Sequence, residues 1–208
     1  MPASTLNHDG RYAPSPTGAL HLGNLRTAVV AWLFARSQRS RFVLRIEDLD
    51  AARVMSGMAE QQLDDLEAIG LTWDDTPLVQ SHRLDVYRSA INQLAAQGQT
   101  YRCFCSRADI QSAASAPHGP TPDGAYPGTC RDLDEDTTSM RLERGDSHCI
   151  RLAADGSHVT FTDRILGPVS ACVDDIVLMR RDGVFAYNLA AVVDDAAQGL
   201  SLIHISEP

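Results

Sequence analysis

No lysine occurs in this 208-residue chain; all 18 of its basic residues are arginine. A mechanism that needs a lysine ammonium cannot be completed by these residues. A basic surplus is missing as well, since 27 acidic residues leave a net charge of −9. Proteins that hold nucleic acid mainly by neutralising phosphates carry the opposite balance, so any nucleic-acid contact here is local. There is no run approaching the roughly 20 apolar residues of a spanning helix, and the opening "MPASTLNHDG" lacks the basic and apolar parts of a signal peptide. The expectation is a soluble cytoplasmic protein without membrane contact. Cysteine is sparse and odd in number, five in all, which argues against a disulfide framework and leaves metal binding or plain burial. What remains is a chain with 44% hydrophobic residues, long enough to bury a sizeable core as one domain or one domain with an insertion.

After a polar leader, "GRYAPSP" reads as a short extended segment broken by Pro14 and Pro16. A helix follows from about Asn24, with Leu25, Ala28, Val29, Trp32 and Leu33 at helical spacing on one face. "RFVLRI" then reads as a buried strand with the acidic "EDLD" at its carboxyl end. Strand, helix, strand is the unit of a parallel α/β sheet. Two more helices are expected, one from Gly57 to Ile69 closed by Gly70, the other from Arg83 to Gln97 with Ser81 near its start and Gly98 past its end. Residues 115–128 are too dense in Pro and Gly for a regular element. From Cys149 on, "CIRLA", "HVTFTD", "PVSACV" and "DIVLMRRDGVFAYN" read as short strands, the last a hairpin turning at Asp182 and Gly183, before a helix over "NLAAVVDDAAQ".

The stretch from Arg11 to Asn24, "RYAPSPTGALHLGN", joins the first strand to the first helix, where open parallel sheets bind ligands. Prolines fix its path, Gly18 and Gly23 let backbone approach a ligand, and the helix start aims free N–H groups at an anion, with His21 beside the phosphate. The pattern P-S-P-T-G-x-x-H-x-G after a strand, followed by a strand ending in "IED", resembles the first signature motif of the class I glutamyl-tRNA synthetase family. The resemblance runs from about Arg11 to Gly199 through "LRIEDLD", "YRCFCSRADI", "GTCR" and "RRDGVFAYNLAAVVDDAAQG". "IEDLD" and "YPGTCR" point to its shorter branch, which has no anticodon-binding domain.

That resemblance implies a Rossmann-type parallel sheet carrying an inserted, zinc-bearing α+β subdomain. The expected division is a leader over 1–9, a first catalytic half over 10–98, an acceptor-binding and zinc subdomain over 99–185, and the start of the second catalytic half over 186–199. The implied reaction is activation of L-glutamate by ATP, with Mg2+, to the adenylate. Glutamate then passes to queuosine in the anticodon of tRNA(Asp), the enzyme acting as a monomer. Arg11, Tyr12, Ala13, Pro14 and Ser15 match the segment lining the glutamate pocket, Glu47 the acceptor of the substrate ammonium, and Tyr187 a second pocket residue. Pro14, Gly18, His21, Leu22, Gly23 and Asn24 match the ATP signature, with His21 and Asn24 in the catalytic position. Asp194 and Asp195 are read as solvent-facing or capping.

Cys103 and Cys105 point the same way from a strand, which suits a metal better than a mutual disulfide. A structural zinc wants two further donors. Cys130 lies 25 residues beyond Cys105, after the Pro/Gly loop. Family members often close the site as C-x-C then C-x-H, but residue 132 here is Asp132. The short branch uses a tyrosine four positions before the third cysteine, the place of Tyr126, with His118 as its nearest competitor. Cys149 and Cys172 are read as small buried residues.

After "VVDDAAQG" the family continues with V-T-x-V-V-R-G-x-D, whereas this chain reads "LSLIHISEP" and Ile205 stands in the arginine's place. Residues 200–208 are therefore expected to be a foreign junction. The K-M-S-K-S-like loop is absent too, so the chain is expected to be a truncated synthetase, weak at forming the adenylate. Two other readings stay open: a fragment of a full-length tRNA-charging glutamyl-tRNA synthetase, and a non-catalytic zinc-bearing paralogue that binds tRNA or an amino acid.

Overall fold

The computed structural model describes residues 9–114, 125–163 and 166–200. The leader before residue 9, His118, most of the Pro/Gly loop, and the tail from 201 with Ile205 lie outside the described residues. The chain divides into two compact units, one up to residue 86 and again from 190, the other over 87–189.

In the first unit, β1 (Gly10–Tyr12), α1 (Leu22–Ser37) and β2 (Phe42–Ile46) form the parallel unit read from the sequence, with Gly10 beside Phe42 and Tyr12 beside Leu44. A two-residue β3 (Leu78–Val79) pairs parallel to β2 on its other side. All five residues of β2 are buried, as a strand covered on both faces requires. The buried face of α1 differs from expectation. Its fully buried residues are Ala28, Ala31 and Ala35, while Leu25, Val29 and Trp32 are partly covered and Leu33 is 53% exposed. Small side chains let the helix lie close on β1: a Cβ added at Gly10 would sit 3.1 Å from the Ala31 carbonyl oxygen. Leu66 of α2 (Met58–Ala68), with Leu71, completes this core. Gly70, with φ of 85°, ends α2 in the left-handed conformation open to glycine.

α3 (Leu84–Ala96) follows a 3-10 turn over Gln80–Arg83 and ends before Gly98, whose φ is 70°. In the second unit, β4 (Thr100–Cys103), β5 (Cys149–Leu152) and β8 (Val177–Met179) form an antiparallel sheet, and Cys103 faces Cys149 across it. The hairpin at Gly183 returns only as a single bridge, Met179 to Phe185. β6 (His158–Asp163) and β7 (Gly167–Cys172) make a separate two-stranded ribbon whose residues are mostly exposed. Cys172 lies on that ribbon and is exposed, which corrects its reading as a buried residue. Two helices went unread in the sequence, α4 (Arg107–Ala114) and α5 (Glu135–Glu143); α5 buries no residue, so its sequence carries no apolar stripe to find. α6 (Tyr187–Ala197) comes last. No described helix is long and apolar enough to cross a membrane.

Candidate functional site

The turn from β1 to α1 walls a cleft of ≈ 420 Å³ lined by Tyr12 to Ser15, Thr17 to His21, Asn24, Thr27 and Gln62. Its shape is fixed by backbone bonds: Glu47 N–H donates to the Pro14 carbonyl and Met55 N–H to the Pro16 carbonyl, both at 2.9 Å. α1 begins at Leu22, two residues earlier than read, because His21 itself is the cap. His21 Nδ1 accepts from the Gly23 and Asn24 amides at 3.0 and 3.3 Å, and Asn24 Oδ1 accepts from the His21 amide at 3.1 Å. With Nδ1 an acceptor, the neutral ring carries its proton on Nε2, the nitrogen left to donate outward from the cap. A Cβ at position 23 would lie 2.9 Å from His21 Cε1, so a larger residue there would push the ring out of its capping position.

Gln62 is a lining residue that the sequence did not disclose. Buried to 1% exposure on α2, it donates from Nε2 to the Ser15 and Gly18 carbonyls at 3.1 and 2.7 Å. A lone glutamine in a helical pattern carries no signal, and its partners lie more than 40 positions away. Gln62→Ala is expected to lower stability by about 1–3 kcal/mol, through the Gly18 carbonyl left without its donor. Urea denaturation checks this; a loss under about 0.5 kcal/mol would mean the loop holds itself.

Beside the cleft lies a network of opposite charges. Asp195 accepts from Arg11 Nε at 2.7 Å and Nη2 at 3.2 Å, and from Arg45 Nη1 at 2.6 Å. Arg45, wholly buried, also contacts Glu47 Oε1 at 3.1 Å and Gln198 Oε1 at 3.2 Å. Burial pushes the Glu47 carboxyl above the usual carboxylate range, with Arg45 and Arg11 opposing it. For Asp195 burial acts upward too, but hydrogen bonds and charge from Arg11 and Arg45 prevail and hold it below that range. Asp194, fully buried, accepts from Gln80 Nε2 at 3.0 Å and Arg83 Nε at 2.8 Å. Both aspartates thus depart from the solvent-facing reading, for a tertiary reason: each meets an arginine far away in sequence. Tyr187 opens α6, is 58% exposed and belongs to the second unit.

In the second unit, the Sγ atoms of Cys103, Cys105 and Cys130 lie within 4.8 Å of one another. Tyr126 joins them: its Oη accepts from Cys103 Sγ at 3.2 Å and from the Cys130 amide at 3.0 Å, and stands 3.5 Å from Cys105 Sγ. The Cys103 thiol is pulled down to about 4, first by hydrogen bonding with Cys149, then by Tyr126 and Arg151. Burial pushes Cys105 up to about 11 and Tyr126 well up. Three converging sulfurs and a phenol oxygen fit a tetrahedral cation that takes soft donors. Cys149 is buried, as read, and lies outside the three-sulfur group.

The family description "tRNA synthetases class I (E and Q), catalytic domain" matches residues 9–205. The chain is similar to the "Glutamyl-Q tRNA(Asp) synthetase" of Nocardia farcinica, 53% identical over 201 residues, covering 97% of this chain and 63% of the relative. A protein of that name from Symbiobacterium thermophilum is 48% identical over 204 residues, covering 92% and 63%. Among solved structures, a glutamate tRNA ligase from Elizabethkingia meningosepticum in complex with its amino acid superposes with a TM-score of 0.78 at 30% identity, covering 95% of this chain and 43% of that one. The chain spans 63% of the length of these two curated relatives.

Proposed function

The chain belongs to the class I tRNA synthetase family of the E and Q type, by its catalytic domain, and on that premise we propose that it carries the glutamate- and ATP-binding part of an enzyme that glutamylates queuosine in tRNA(Asp). The observation that carries the reading is the paired-charge network beside the capped cleft. Arg11 is held along its Nε and Nη2 edge by Asp195, which leaves Nη1 for a substrate carboxylate. Glu47, oriented by Arg45, is the acceptor for the substrate ammonium, and Tyr12 to Ser15 line the amino-acid pocket. Across the cleft, His21 Nε2–H donates to an ATP phosphate, with Asn24 fixing the ring through the cap and Pro14, Gly18, Leu22 and Gly23 shaping the approach.

In the reaction so proposed, a carboxylate oxygen of glutamate attacks the α-phosphorus of ATP in line. The bond to the bridging oxygen breaks and pyrophosphate leaves, accompanied by Mg2+. A queuosine hydroxyl then attacks the acyl carbon, loses its proton and expels AMP. No covalent enzyme intermediate is needed, so positioning and charge stabilisation do the work. Cys103, Cys105, Tyr126 and Cys130 would hold one structural Zn2+, which orders the second unit and takes no part in the transfer. A cytoplasmic monomer belongs to the same reading. The names of the two curated relatives, at 53% and 48% identity, support the queuosine acceptor over the 3′ end of a tRNA.

The test offers labelled glutamate and ATP to tRNA(Asp) with and without queuosine, using the complete protein that contains this chain. Label confined to the queuosine-bearing tRNA is the expected result. Label on tRNA(Glu) in place of tRNA(Asp) would make this the tRNA-charging enzyme. The absence of both label and glutamate-dependent pyrophosphate exchange would make it a binding paralogue.

A further inference from the structure

Arg151 sits on β5 at 8% exposure, and its guanidinium carbon lies 3.9 Å from the centroid of the Tyr126 ring. Its Nη1 donates to the Asp175 carbonyl at 2.6 Å, while its Nε is buried with no hydrogen-bond partner among the described residues. The Asp175 carboxylate does not neutralise this cation: it accepts from Tyr101 Oη at 2.5 Å, Arg131 Nε at 2.7 Å and the Ala154 amide at 3.0 Å. Burial disfavours the Arg151 charge, and what opposes that is first hydrogen bonding with Cys103 and then the charge of Cys103, Cys149 and Tyr101. A buried guanidinium with an idle donor and no carboxylate partner among the described residues is costly unless something anionic offsets it. The thiol and phenol cluster becomes that anion once it takes a metal, because thiolate and phenolate donors outnumber the charge of a divalent ion. Of the other arginines near it, Arg131 is paired with Asp175 and Arg181 donates from Nη2 to the Phe104 and Cys105 carbonyls.

We propose that Arg151 is a positioning residue of the metal centre: stacked on the Tyr126 ring, it aims the phenol oxygen at the ion and offsets the negative charge of the ligand set. The inference rests on the metal reading of Cys103, Cys105, Tyr126 and Cys130, and would make Arg151 part of what permits an uncommon tyrosine ligand. Outer partners of this kind are commonly worth 10–100-fold in metal affinity.

The test measures Zn2+ affinity by chelator competition in the full chain and in Arg151→Gln and Arg151→Lys. Glutamine keeps a donor for the Asp175 carbonyl and removes the charge; lysine keeps the charge. The expected result is a 10–100-fold weaker affinity for Arg151→Gln and at least partial recovery for Arg151→Lys. In a Tyr126→Phe background, where the ligand set carries one negative charge fewer, the Arg151→Gln penalty should shrink. An unchanged affinity, equal losses in both variants, a full penalty without Tyr126, or an Arg151→Gln protein that stays unfolded at saturating Zn2+ would each make Arg151 a strut and overturn the proposal. If the unsubstituted chain binds no Zn2+, it is the metal reading itself that fails.

Discussion

Asp195→Asn is expected to destabilise the fold by about 3–5 kcal/mol, because it takes the charge partner from two arginines at once. Arg45 has no exposed side-chain surface and shares Asp195 Oδ1 with Arg11. After the substitution Glu47, 3.1 Å away, is left to balance the buried Arg45 charge, and Arg11 loses the ion pair it makes among the described residues. Urea denaturation near pH 7 reads the loss, and a value below about 1 kcal/mol would show that the network is solvated rather than structural. The pH dependence carries its own sign. Asp195 has a lowered pKa in the folded state, despite the upward pull of burial. Its contribution is therefore complete above the unfolded value of about 3.9 and is lost as pH falls through the folded value. The gap between the native chain and Asp195→Asn should narrow at acid pH, where the native carboxyl becomes neutral like the amide. Arg45→Met in the same background should recover part of the loss, since an unpaired buried charge costs more than an apolar side chain of similar size.

Cys103→Ser carries the second large effect. Cys103 has no exposed surface and belongs to the core of the second unit with Phe104, Tyr126, Cys130 and Cys149. If the cluster holds Zn2+, binding free energy is folding free energy, worth about 4 kcal/mol when free metal exceeds the dissociation constant 1,000-fold. Stability of the native chain should then rise with free Zn2+ in a metal-buffered series, and that of Cys103→Ser should not. Tyr126→Phe separates ligand from filler: it keeps the ring under Arg151 and removes only the oxygen. Loss of most of the metal dependence would identify Tyr126 as the fourth donor. A dependence equal to that of the native chain would pass that place to another group.

The parallel unit at the start of the chain was legible because it is local. "GRY" and "RFVLRI" are short apolar runs on either side of a helical period, and the prolines and glycines of the linking loop leave few other paths. The same holds for the C-x-C pair: Cys103 ends β4 and Cys105 follows two residues on, and both sulfurs reach one centre. What escaped was tertiary. Asp194 and Asp195 look like surface carboxylates until Arg83, Arg11 and Arg45 arrive from 111 to 184 positions away. The inward face of α1 is alanine where leucine and tryptophan seemed the better anchors, because the helix lies so close to Gly10. Cys172 looked buried by residue type, yet it lies on a ribbon whose described residues are mostly exposed. Arg151 had no signal at all, since its meaning depends on the ring of Tyr126 beneath it.

Glutamate-dependent exchange of labelled pyrophosphate into ATP, run on the complete protein that contains this chain, tests the central claim most directly. Exchange with L-glutamate, none with L-glutamine or L-aspartate, and a fall of at least about 100-fold in Glu47→Gln is the predicted result, because that substitution removes the charged partner of the substrate ammonium. A folded protein that exchanges with none of the three amino acids, or equally well with L-glutamine, would contradict it.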